Sequence, residues 1–111
     1  MSKIQRPLSP NAADAVALLG QLIRKARIEK KMATAEVAVR SGVSRGLLHR
    51  IERGDPGCAI GAVFEVAAVV GVRLFDAEPT AMARALETNR EVMQLLPRSI
   101  RRPRQEVDDD F

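Results

Sequence analysis

Four side chains between Ser44 and Gly54 have the chemistry to meet a polyanion: Arg45, His49, Arg50 and Arg53. A planar guanidinium fork matches the two acceptors on a guanine edge and suits a phosphate equally well. Leu47, Leu48 and Ile51 recur beside them at a helical period, and the four polar residues use the faces that Leu48 and Ile51 do not. Ser44 opens the run as a cap type, its hydroxyl able to accept a bond from a first-turn amide. The spacing predicts a short helix with a basic outer face.

A helix this short needs a partner to hold it. Upstream, Val37, Ala38 and Ser41 fall on one helical face, and Gly42 then stops the segment because glycine takes the left-handed backbone at little cost. Met32 to Gly54 thus reads as two short helices joined by a tight turn, a helix-turn-helix pattern. Ala38 is small where two steeply crossing helices must approach. A bulkier residue there would splay them.

The flanking chain supplies the scaffold. Asn11 is placed to cap a first helix from Ala12 to Lys30, with Ala15, Leu19, Leu22, Ile23 and Ala26 as its apolar stripe. After the motif, Gly54-Asp55-Pro56-Gly57 is turn chemistry that ends the helix. A fourth helix, Ala59 to Val70, puts Ile60, Val63, Phe64 and Ala67 on a core-facing side, which leaves Val66 and Val69 for a dimer contact. Val72-Arg73-Leu74-Phe75 alternates as a short strand would, and a lone strand needs a partner, most simply its own copy across a two-fold axis. Val72 and Leu74 join the expected dimer contact. Thr80 is placed to cap a last helix ending near Leu96, before Pro97. The expected fold is all-α: a helix-turn-helix bundle with a short C-terminal strand and an additional helix. Residues 1–11 form a flexible arm in this reading, 12–75 the motif domain with its dimerisation strand, 76–96 the C-terminal helix and 97–111 a disordered charged tail.

Val37-Ala38, Gly42-Val43-Ser44-Arg45, Leu48 and Arg50-Ile51-Glu52-Arg53-Gly54 resemble the Cro/CI-type (XRE) helix-turn-helix domain. The resemblance implies a lambda-repressor-like bundle that binds double-stranded DNA. By position it implies base reading near the start of the recognition helix, at Arg45, Gly46 and Arg50 with His49 beside them, and an ion pair between Arg27 and Glu52. Two positions depart from the pattern. Ala33-Thr34 stand where Thr-Gln is usual, so a phosphate-touching Gln is missing and the cap shifts to Thr34, while Gly46 offers no side chain to a base. Ser44, Thr34 and Arg53 complete the expected DNA-binding set, with Thr34 and Arg53 on phosphates. From ERGDPG through the valine-rich helix, GVRLF and LPRSIRRPR to DDDF, the chain also resembles the antitoxin of HipA-type kinase modules.

The charge balance agrees with a single phosphate-facing side. The 111-residue chain carries a net +4, but Arg24 to Arg53 holds nine basic against three acidic residues, and Gly54 to Glu91 three basic against six acidic. Such a local basic surface is the footprint of nucleic-acid binding. No apolar run is long enough to span a membrane and the N-terminus lacks a signal peptide's apolar core, so a cytoplasmic, nucleoid-associated location is expected. Cys58 has no partner at metal spacing, and with one His, no Tyr or Trp and no phosphate loop, neither catalysis, metal nor cofactor is expected. The expected function is that of a homodimeric, sequence-specific repressor of a near-palindromic operator, autoregulating and antitoxin to a HipA-like kinase toxin. The alternative is a stand-alone regulator of the same fold. In the tail, Phe111 is the expected anchor for the kinase, and the arginines from Arg98 to Arg104 suit either that partner or DNA.

Overall fold

The structure, a computed structural model, describes residues 7–100 together with 102 and 103. Among these it is all-helical: α1 (Pro10–Glu29), α2 (Thr34–Ser41), α3 (Arg45–Glu52), α4 (Ile60–Val70) and α5 (Pro79–Leu95). The chain divides into two compact units, Met1–Asp76 and Ala77–Phe111.

In the first unit, α1 packs on α3 and α4, and α2 packs on the same two helices. Their shared core is Ile23, Val37, Ala38, Leu48, Ile51, Val66, Ala67 and Val70, so each of the four helices contributes. Fully burying a side chain of this size is worth roughly 1.5–3 kcal/mol. Through Leu48 and Ile51 that burial fixes α3, which like α2 has only eight residues.

The first helix begins earlier than expected. Ser9 is the cap, its hydroxyl accepting from the Ala12 amide at 3.3 Å, and Pro10 occupies the first turn, where its missing N–H costs nothing. Asn11 therefore lies inside the helix. Leu19 and Ala26 pack against the core beside Ile23, whereas Leu22 is exposed.

Two glycines let α1 and the end of α3 touch. A Cβ at Gly20 would lie 2.5 Å from the Ile51 carbonyl oxygen and 3.0 Å from that of Glu52. From the other side, a Cβ at Gly54 would lie 2.9 Å from the Ala17 Cα, and Gly54 has φ +77°. Backbone meets backbone here. The fourth helix is tied down differently: the Lys30 ammonium donates to the Val70 carbonyl at 2.6 Å, and Gly71, with φ +84°, leaves the space that this side chain fills. A cation at a helix C-terminus satisfies an orphan carbonyl and complements the dipole.

Two expectations about the region after Ala59 are corrected. The core side of α4 is Val63, Val66, Ala67 and Val70, with Val66 fully buried and Ile60 70% exposed. Because Glu65 is the only charged residue in IGAVFEVAAVV, periodicity could not set the phase of so apolar a helix. Val66 is thereby removed from any dimer contact. The strand at Val72 to Phe75 is absent among the described residues: Phe75 and Asp76 take φ 55° and 52°, and consecutive left-handed residues turn the chain instead of extending it. Val69, Val72 and Leu74 pack partly against the core, and the Phe75 ring meets Phe64 edge-on, centroids 6.3 Å apart.

In the second unit, Pro79 rather than Thr80 opens α5, again as a first-turn proline. None of its side chains is buried, and Glu87 and Arg90 pair at 3.5 Å along its surface.

Gly20 and Gly61 should respond to alanine with opposite signs. Gly61→Ala meets open space and should stabilise by up to about 1 kcal/mol through the unfolded state, whereas Gly20→Ala must push α3 off α1 and should cost about 1–3 kcal/mol. Urea melts of the two variants check this; equal effects would remove the close contact from the account.

Candidate nucleic-acid interface

The turn between α2 and α3 is built from local bonds. Gly42 takes φ 72°, and the Val43 amide donates back to the Ala38 carbonyl at 3.0 Å. No atom comes within 4 Å of a Cβ built on Gly42, so its requirement is conformational, not steric. Ser44 then caps α3, its hydroxyl accepting from the Leu47 amide at 3.0 Å. The cap expected at Thr34 does not form: Ala33 holds the cap position without a side-chain bond, and Thr34 is the first helical residue, half-buried.

With Leu48 and Ile51 in the core, the outer face of α3 falls to the polar residues. Ser44, Arg45, Gly46, His49 and Arg53 are exposed. Arg45, His49 and Arg53 follow at four-residue spacing and share a side of the helix. Gly46 has only the Ser44 hydroxyl near its absent Cβ, at 3.9 Å. It leaves a gap in the face.

The back of α3 is held by charge. Arg27 on α1 donates through Nε and Nη2 to the two carboxylate oxygens of Glu52 at 2.7 and 3.1 Å, and through Nη1 to the Met32 carbonyl at 3.1 Å. The side chains are 12% and 4% exposed. The bond to Glu52 raises the Arg27 pKa above its ordinary value, against the opposing effect of burial. One guanidinium thus joins the end of α1, the turn into α2 and the last residue of α3. A bidentate fork also fixes orientation, which a lysine could not do.

Arg50 is engaged as well, which its sequence position did not reveal. Its Nε donates to Asp55 Oδ2 at 2.9 Å, while Asp55 Oδ1 accepts from the Gly57 amide at 2.7 Å. The Gly57 amide first, and Arg50 second, hold the Asp55 carboxyl below the usual carboxylate range. The same bond raises the Arg50 pKa. In the sequence GDPG reads only as turn chemistry; an acid five residues after a recognition-helix arginine was the available signal.

Behind this turn, an apolar cavity of about 330 Å³ is lined by Leu19, Gly20, Ile51, Cys58 and Phe64 among others. Cys58 packs partly against the core. No cluster of metal-binding side chains occurs among the described residues, and no helix there is long and apolar enough to cross a membrane. Phe111, the expected partner anchor, lies outside the described residues.

A short helix locked by its inner face, with arginines and a histidine on its outer face, defines a helix-turn-helix DNA-binding regulator. The family model for a helix-turn-helix domain matches residues 18–78, and the chain belongs to that family. No curated protein and no solved structure matches the chain.

If the ion pair locks α3, losing one partner must be worse than losing both. Arg27→Met or Glu52→Leu alone should cost about 3 kcal/mol, the low end for buried pairs because Arg27 keeps a path to water, and the double variant should recover much of it. Additive losses in a double-mutant cycle on chemical stability would rule out coupling.

Proposed function

We propose that this chain is a sequence-specific transcriptional repressor of the XRE type that binds a near-palindromic operator as a homodimer. The observation that carries the reading is the outer face of α3, where Arg45, His49 and Arg53 are exposed while the inner face is fixed by the core and by Glu52. In this reading Arg45 and Arg50 contact bases, His49 and Ser44 flank them, and Arg53 and Thr34 hold phosphates. The start of α2 adds to the phosphate side, since its first-turn amides have no side-chain cap and helix N-termini attract anions. One recognition helix spans only a few base pairs, so two copies give a usable site. Val69, Val72 and Leu74, with Phe75 81% exposed beside them, are the proposed contact between copies.

A second role, as autoregulating antitoxin of a HipA-like kinase, is supported by the resemblance running from ERGDPG to DDDF. Its alternative is a stand-alone regulator. Co-expression with a kinase-like product of the neighbouring reading frame should give a complex, and deleting residues 107–111 should weaken it while changing operator affinity less than about threefold. Capture that survives the deletion unchanged would reject Phe111 as the anchor, and a neighbourhood with no kinase-like frame would favour the solitary regulator.

The DNA assignments separate by what each variant loses. Arg45→Ala and Arg50→Ala should each cost about 1–3 kcal/mol at the selected site and flatten one base preference, whereas Arg53→Ala should weaken all duplexes alike and lower the salt slope by roughly one unit. Titrations of specific and random duplexes at several salt concentrations check this. Sedimentation of the saturated complex should find two copies with half-sites about 34 Å apart, and Leu74→Glu should abolish cooperative binding; one copy at saturation contradicts the dimer.

A further inference from the structure

We propose that Asp55 is a positioning residue for base recognition: it holds the Nε of Arg50 so that the two Nη groups remain as a pre-aimed fork for a guanine edge. This deepens the DNA-binding reading above and rests on it.

The geometry is more than a turn requires. A turn at Asp55 needs only the bond from the Gly57 amide to Oδ1, at 2.7 Å. The second oxygen is spent on Arg50 Nε at 2.9 Å, and the Asp55 amide also donates to the Arg50 carbonyl at 3.0 Å. Residues 50 and 55 are therefore tied through backbone and side chain together. Gly57 leaves room for the arrangement, since a Cβ there would lie 3.2 Å from Asp55 Oδ1 and 3.6 Å from Arg50 Nη2.

An unrestrained arginine explores many rotamers and must give up that freedom to read a base. Clamping Nε removes part of that freedom before DNA arrives, without occupying the outer donors. The clamp also carries a cost that argues for its role. A carboxylate close to phosphates weakens attraction to every duplex, so it improves discrimination while lowering general affinity. Asp55 remains charged at neutral pH, because its two donors hold it below the ordinary carboxylate range.

The test is Asp55→Asn in the full chain. Its amide oxygen can still accept from Gly57, preserving the turn, but its NH₂ offers Arg50 no acceptor. Sites are first selected from random duplexes with the natural chain, and each variant is then measured on those sites and on unrelated DNA. Preference for the guanine read by Arg50 should fall about tenfold in Asp55→Asn, with unrelated DNA bound as well or somewhat better. In an Arg50→Ala background, Asp55→Asn should leave base preference unchanged. The Arg50 Nε–H resonance offers a readout independent of DNA: slow exchange in the natural chain should be lost in Asp55→Asn and in Asp55→Ala. Retained preference in Asp55→Asn, or equal weakening on all duplexes in both backgrounds, overturns the proposal and reduces Asp55 to a turn residue. A gain on every duplex with sharper preference also overturns it, because Asp55 would then withhold Arg50 from DNA. Failure of the natural chain to prefer any site, or a guanine preference that survives Arg50→Ala, refutes the underlying reading of Arg50 itself.

Discussion

The bidentate contact between Arg27 and Glu52 is the constraint on which the rest of the unit depends. An eight-residue helix is below the length, about 12–15 residues, at which an isolated helix holds together in water, so α3 exists because other elements hold it. Leu48 and Ile51 supply the burial, but burial alone permits small rotations. The fork between α1 and the last residue of α3 fixes the roll of the helix, and the glycine contact at Gly20 and Gly54 fixes its distance. Together they decide which side chains stand outside.

Charge is divided between structure and function. Of the nine basic residues from Arg24 to Arg53, Arg27 serves the ion pair, Lys30 the end of α4, Arg40 the surface pair with Glu36, and Arg50 the turn at Asp55. The local excess of positive charge therefore overstates the groups that face outward without an internal role. The same division gives two carboxylates beside α3 an internal partner. Glu52 points into the protein, and Asp55 is held by an arginine and an amide.

Much of this was legible in residue types and spacing. Gly42 and Ser44 announced the turn and the cap because each does one local job that few residues can do. The buried side of α3 followed from its amphipathic pattern. Where local signals are degenerate, packing decides: α4 is apolar nearly all round, so its phase is set by packing on α1 and α2, and Val66 goes inside. The expected strand had the right alternation, yet two left-handed residues at Phe75 and Asp76 redirected the chain, a choice that periodicity cannot register. Ser9 displaced Asn11 as a cap because Pro10 prefers the first helical turn. The glycine contact at Gly20 is a tertiary fact, visible only once the helices are placed, whereas the pairing of Arg50 with Asp55 spans five residues and that spacing was its one signal in the sequence.

In the proposed mode of binding, α3 meets DNA as a rigid, preformed face. Amide chemical shifts of the full chain during titration with a selected duplex test this. The largest changes are expected from Ser44 to Arg53 and in the first turn of α2, with the amides of Ile23, Val66 and Val70 nearly unmoved. Large changes through those core amides, or a silent α3 at saturation, would contradict it.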